Sequence, residues 1–312
     1  MLFMNLQHKY MIFCAVLFVL LPVFLSTLTG KITATDWIYR HSDWIERYLK
    51  GDFTPLLEYP PLFHWLMILL TIGLIIPPIY FQVVFAFLST IGILIYTYKK
   101  ESEETLLYVS ILLASSIAFV SFAGSLMPQA LDYFIFPLVC LLYFKKKYAL
   151  TIVGLLTIFF MHITGMLFLM ILFAHSLLTK RYKFAKILFI LIILLSPLFY
   201  YHNYLSPLSW ISKWDFKAQA EWEAQYITPI YKFFGLSGFL TWILLPYAIY
   251  KLYKKRFKLT EAQLLYIIWI GAFFSFVIFQ QGVWRMTSYQ IVPLSILVAS
   301  LLSKPSENNE IL

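Results

Sequence analysis

Charge is scarce in this sequence. Asp, Glu, Lys and Arg make up 12% of its 312 residues, against 61% hydrophobic residues. A soluble globular chain carries about a quarter charged residues, so the composition argues against a soluble enzyme and for a polytopic membrane protein. Cysteine is nearly absent. Cys14 and Cys140 both lie inside apolar runs and read as membrane-buried thiols rather than a disulfide or a metal pair. No P-loop, GxGxxG, HExxH or Asn-x-Ser/Thr pattern occurs.

What charge there is has a direction. A formal balance of +9 would suit nucleic acid or anionic lipid, but the Lys and Arg residues fall in short runs between apolar segments. That placement belongs to cytoplasmic membrane loops, not to a nucleic-acid-binding face, so no nucleic-acid partner is expected. The apolar runs predict about ten transmembrane helices: Tyr10–Leu28, Ile79–Tyr98, Thr105–Ala123, Tyr133–Phe144, Tyr148–Met161, Thr164–Leu178, one ending near Tyr201, Gly238–Tyr253, Leu264–Phe279 and Met286–Leu302. The first is read as a retained span, not a signal peptide. About 16 of the 24 Lys and Arg then face the cytoplasm, with both termini. Letting the apolar stretch Leu62–Ile76 cross would invert every dense basic run. It is therefore expected to lie in, or dip into, the outer leaflet. The fold expected is all-α, a single transmembrane domain over 1–312, with a first outer loop at 29–78 holding membrane-parallel helices and a further outer loop at 201–236.

The longest polar interval, Thr35–Trp65, holds Asp36, Arg40, His41, Asp43, Arg47, Lys50, Asp52, Glu58 and His64. As a helix, Asp36–Lys50 places Trp37, His41, Trp44 and Tyr48 on one stripe and charges on the other. Asp36–Arg40, Asp43–Arg47 and Glu46–Lys50 each set an acid four residues before a base. An aromatic stripe with a charged back also describes a helix lying flat at a membrane interface, and that reading accounts for most of these residues. It accounts least well for Asp36. Pro60 and Pro61 then open a second helix, with His64 on its first turn.

Beyond this loop, Asp132 stands at the edge of an apolar span, where an acid is either a functional group or a helix-end charge in water. His162 and Thr164 mark the apex of a tight hairpin. The aromatics and acids of 201–236, Trp210, Trp214, Asp215, Trp222 and Glu223 among them, suit either sugar stacking or an interface belt. Arg285 is placed to grip a phosphate with two N–H groups, or simply to snorkel.

Three motifs stand close together: Asp36-x4-His41; Gly51-Asp52-Phe53 followed by Pro55; and Tyr59-Pro60-Pro61-Leu62 followed by His64-Trp65-Leu66. Together they resemble the GT-C superfamily of integral-membrane glycosyltransferases, and the likeness covers roughly residues 10–200. The resemblance implies transfer of a sugar from a polyprenyl- or dolichyl-phosphate donor to a lipid, glycan or protein acceptor on the outer or luminal face. It assigns Asp36 as general base or metal ligand and matches Asp132 to a second acid. It also puts His162 at a hairpin turn where relatives that modify lipids or proteins often have Lys. Asp36 and Asp132 would hold Mg²⁺ or Mn²⁺, if a metal takes part. His41, Asp43, Tyr59, His64, His162 and Arg285 would bind sugar and phosphate. Two alternatives from other classes are a transporter or flippase of lipid-linked sugars, signalled by mid-span acids or broken helices, and a catalytically inactive relative.

Overall fold

The computed structural model describes residues 2–29, 41–57, 59–123, 126–162, 164–201, 238–254, 256, 258–278 and 283–303, and every element in them is helical. The α-helices are α1 (Leu2–Thr29), α2 (Ser42–Leu49), α3 (Leu62–Leu70), α4 (Ile79–Lys100), α5 (Glu103–Ala114), α6 (Ile117–Ala123), α7 (Pro128–Phe144), α8 (Tyr148–Met161), α9 (Gly165–Leu178), α10 (Tyr182–Tyr201), α11 (Phe239–Lys254), α12 (Glu261–Ile278) and α13 (Val283–Leu302). A 3₁₀ turn, Thr54–Leu57, lies between α2 and α3. Helix α4 is by itself long and apolar enough to cross a membrane. Phe, Leu, Ile and Tyr side chains cover the exposed faces of α1, α4, α10 and α11. Contiguous apolar exposure on that scale suits a lipid environment.

The interior is where the polar groups went. Tyr96 on α4 meets Tyr266 on α12 at 2.9 Å, and the Tyr266 hydroxyl donates to Glu101 at 2.7 Å. Thr105 pairs with Ser303 at 2.5 Å. Such interhelical bonds hold helices together where hydrophobicity no longer distinguishes neighbour from lipid. Close approach does the same work between α4 and α7. A Cβ on Gly92 would lie 2.6 Å from the Cα of Phe134, so only glycine admits that contact.

Several expected boundaries moved, each for a local reason. The expected span Thr105–Ala123 is two helices. Ser115 ends α5 with its hydroxyl on the Leu112 carbonyl at 2.7 Å, and the Ser116 hydroxyl accepts from the Phe119 N–H at 3.1 Å, capping α6. The expected span Tyr133–Phe144 starts at Pro128, because proline at the first helical position gives up a donor that has no partner there. Asp132 is therefore inside a helix and 1% exposed, not a helix-end charge in water. Helix α3 ends at Leu70, and the chain turns through Ile72, Gly73 and Leu74, with φ of 50°, 67° and 71°. Nine residues rise about 14 Å, less than half of the ~30 Å hydrocarbon core, so α3 alone is too short to cross one.

Candidate active site

Helices α2 and α3 fold onto each other through their aromatic faces. The stripe of His41, Trp44 and Tyr48 is buried, each 7% exposed, against Tyr59, Phe63 and His64. It is turned into the protein rather than laid on an interface. Trp44 stacks on Tyr59 at 5.1 Å between centroids. The connection between the helices explains the Gly51-Asp52-Phe53 motif. Gly51 takes φ +80°, closing α2 with the Asp52 N–H on the Arg47 carbonyl at 2.9 Å. Asp52 then accepts from the Thr54 N–H at 2.9 Å, the Thr54 hydroxyl at 2.6 Å and Arg47 Nε at 2.8 Å. The Thr54 bonds, with Arg47 next, hold its carboxyl down at about 2. Arg47 thus pairs forward with Asp52 and not back with Asp43, whereas the expected Glu46–Lys50 pair forms at 3.8 Å.

Within that knot His41 Nδ1 and His64 Nε2 stand 2.9 Å apart. His64 is 0% exposed and its Nδ1 has no partner among the described residues. Burial pushes its pKa down to about 3, so the ring is neutral near pH 7. Tyr59 carries the cluster onward, its ring 6.1 Å from that of His162.

His162 closes α8 in an extended conformation and Thr164 opens α9. The turn is tight because position 165 has no side chain: a Cβ there would lie 2.3 Å from the Cα of Phe159. Asp132 reaches this turn from α7, and Tyr289 reaches it from α13. One carboxylate oxygen, Asp132 Oδ2, gathers all three: His162 Nδ1 at 2.8 Å, the Thr164 hydroxyl at 2.9 Å and the Tyr289 hydroxyl at 2.6 Å. The Thr164 and Tyr289 hydroxyls donate. A proton on His162 Nδ1 completes the set and leaves the lone pair on Nε2.

The other oxygen is a different matter. Asp132 Oδ1 is buried and has no hydrogen-bond partner among the described residues. Gln129, three residues earlier on the same helix and 3% exposed, likewise leaves its Oε1 without one. Residues three apart share a helix face. Two unpaired acceptors in an apolar interior are unfavourable by about 1–3 kcal/mol each, and a ligand rich in hydroxyl donors relieves both.

The sequence expectations divide accordingly. Asp132, His162, His64, His41 and Tyr59 form one continuous contact chain. Asp43 sits on the exposed face of α2. Asp36 and residues 202–237 lie outside the described residues, and so does the Arg285 side chain, whose backbone is in the first turn of α13. Two site residues escaped the sequence reading: Gln129, whose signal was its place three residues before Asp132, and Tyr289, one aromatic in an apolar run. As for a metal, no group of three or more His, Cys, Asp or Glu residues comes together among the described residues. Asp132 offers a cation only Oδ1, since Oδ2 already takes three donors, and Mg²⁺ prefers near-octahedral oxygen ligation.

A model of one protein family, described as the EpsG family, matches residues 11–312. No curated protein and no solved structure matches the chain.

Proposed function

The chain belongs to the EpsG family, and from that footing we propose a multi-pass membrane glycosyltransferase or polymerase that works on lipid-linked sugars. Its donor would be a polyprenyl- or dolichyl-phosphate sugar and its acceptor a hydroxyl of a glycan, lipid or protein. The charge pattern supports both termini in the cytoplasm and the reaction on the outer or luminal face. The likeness to GT-C enzymes in the first loop belongs to this proposal.

The observation that carries it is the pair of buried acceptors without a partner among the described residues, Asp132 Oδ1 and Gln129 Oε1. A sugar carries several hydroxyl donors, which is the chemistry two such acceptors lack. In this reading the acceptor hydroxyl donates to Asp132 Oδ1. As the glycosidic bond forms and the anomeric carbon leaves the lipid phosphate oxygen, that proton passes to the carboxylate. His162, Thr164 and Tyr289 fix the carboxylate so that nothing need reorganise during the step. His64 offers its Nδ1 to sugar or phosphate with His41 bonded behind it, Asp36 would give a second acid and Arg285 a phosphate clamp. With one carboxylate oxygen on offer among the described residues, no step is routed through Mg²⁺ or Mn²⁺.

A carrier would draw on the break between α5 and α6, but serine hydroxyls cap both helix ends there. The test is transfer of radiolabelled sugar from polyprenyl-phosphate donors by purified protein in liposomes. Label moving to a glycan, lipid or peptide acceptor with wild type and not with Asp132→Asn supports the reading. Donor binding without transfer, equal in both proteins, would replace it with a carrier.

A further inference from the structure

At the far end of α7 from Asp132 the turns α7–α8 and α9–α10 meet the start of α12 around an open recess of about 850 Å³. Lys100, Lys146, Lys180, Arg181 and Lys183 line it with a single carboxylate, Glu261. That carboxylate is already engaged: Arg181 Nη2 donates to both of its oxygens, at 2.9 and 2.7 Å. Among the described lining residues no second carboxylate faces Lys146, Lys180 and Lys183.

The two turns are built alike. Lys146 follows α7 at φ 57° and Lys180 follows α9 at φ 58°, the left-handed region that glycine enters at least cost. A cation suits the negative end of a helix dipole. The dipole does not account for both turns facing one recess. Its floor is aromatic: Tyr148 stacks on Phe184 at 4.4 Å, and Lys100 Nζ sits 4.2 Å over the Phe144 ring. Tyr182 of its lining is 61% exposed, and Leu177 and Leu178, the two residues of α9 just before the lining residue Thr179, are 42% and 61% exposed.

We propose that this recess is a binding site for the phosphate of an anionic phospholipid on the cytoplasmic leaflet. The phosphate sits among Lys146, Lys180 and Lys183, and the acyl portion lies along Leu177, Leu178 and Tyr182. A free phosphate would use the cations and leave the flank bare, which is why the lipid is favoured. The inference rests on the membrane orientation above but not on the proposed chemistry, so binding and activity fail separately.

The experiment uses the full chain in neutral detergent and reads the thermal unfolding midpoint by tryptophan fluorescence. Phosphatidylglycerol, phosphatidylcholine and inorganic phosphate are titrated at constant ionic strength. Two triple variants stand beside wild type: Lys146→Ala/Lys180→Ala/Lys183→Ala, and Lys145→Ala/Lys147→Ala/Lys186→Ala. The second removes the same charge away from the recess lining. Phosphatidylglycerol is expected to raise the wild-type midpoint by several degrees, while phosphatidylcholine leaves it in place. A surface cation near an anionic headgroup contributes roughly a factor of five, so the recess variant should need on the order of a hundredfold more lipid. The control triple should stay within a few-fold of wild type. Inorganic phosphate reproducing the full shift would reassign the site from lipid to free phosphate. Equal loss in both triples, which bulk charge would explain, overturns the proposal, and so does the absence of any shift with either phosphate probe.

Discussion

Replacing Asp132 by Asn separates what the carboxylate does for the fold from what it does for chemistry. The side chain keeps its shape, and its carbonyl oxygen can still accept from Thr164 and Tyr289, now 2.9 and 2.6 Å from Oδ2. What is lost is the charge. Hydrogen bonds to an ionised acceptor are worth about 1.5–3 kcal/mol and neutral ones about 1. Three weakened bonds in one network, which do not add independently, put the stability loss at about 1–3 kcal/mol. Asp132→Ala, which strands three donors in a buried site, should be worse, at about 3–5 kcal/mol. For chemistry the loss is larger. A positioned proton acceptor contributes about 10²–10⁴-fold, so Asp132→Asn should cut transfer by at least 10² while its unfolding midpoint falls only a few degrees. The assay is initial rate of sugar transfer in liposomes, normalised to folded protein measured by size exclusion and fluorescence. A rate within threefold of wild type would refute the assignment. So would a loss no greater than the loss of folded protein, which would make Asp132 a structural acid only.

Tyr289→Phe keeps the ring stacked on Phe273 at 4.9 Å and removes one donor to Asp132; transfer should fall roughly 5–50-fold, measured in the same assay. Gly165→Ala forces a methyl group onto the Phe159 backbone, so the midpoint should drop by the equivalent of about 1–3 kcal/mol and take activity with it; an unchanged midpoint would contradict the packing described. His64, with its pKa held at about 3 against 6.5 for a free ring, binds fewer protons folded than unfolded. Stability from this residue is therefore present above pH 6.5 and is lost progressively as pH falls toward 3. Thermal melts across that window should show His64→Gln with a flatter acid limb than wild type. Ile72→Gly relieves a β-branched residue at φ 50° and should raise the midpoint by the equivalent of up to about 1 kcal/mol, seen in the same melts.

Much of the helical layout is legible in the sequence because apolar length and basic punctuation are coarse signals that tertiary context rarely overrides. The α8–α9 hairpin falls within a residue of its expected limits. The charge argument kept Leu62–Ile76 from crossing, and the helix inside that stretch is nine residues long. The failures are local. Ser115-Ser116 breaks a helix through two side-chain hydroxyls, and serine inside an apolar run does not announce whether it will cap or merely bond one turn back, as Ser110 does to the Leu106 carbonyl at 2.8 Å. Arg47 had two carboxylates in reach, and loop geometry around Gly51, not helical spacing, decided for Asp52. In the site, Asp132 and His162 stood out as polar groups in apolar surroundings. Tyr289 did not, because one uncharged aromatic among the 22 tyrosines of an apolar chain carries no mark of its own, and only the assembled bundle brings its hydroxyl to the acid.

That assembly has an order in time. Asp132 meets Tyr289 across 157 positions of sequence, Tyr96 meets Tyr266 across 170 and Thr105 meets Ser303 across 198. The earlier member of each pair leaves the ribosome long before its partner exists. While the chain is being made, the carboxylate and the two hydroxyls must wait in the bilayer without the bonds they have in the finished protein. Asp132 can meet His162 and Thr164, and Thr105 can meet Ser102, before α12 and α13 bring the remaining partners. A nascent chain stalled before α13 would hold Asp132, His162 and Thr164 without the Tyr289 hydroxyl, so the site is complete only once α13 has been made and packed.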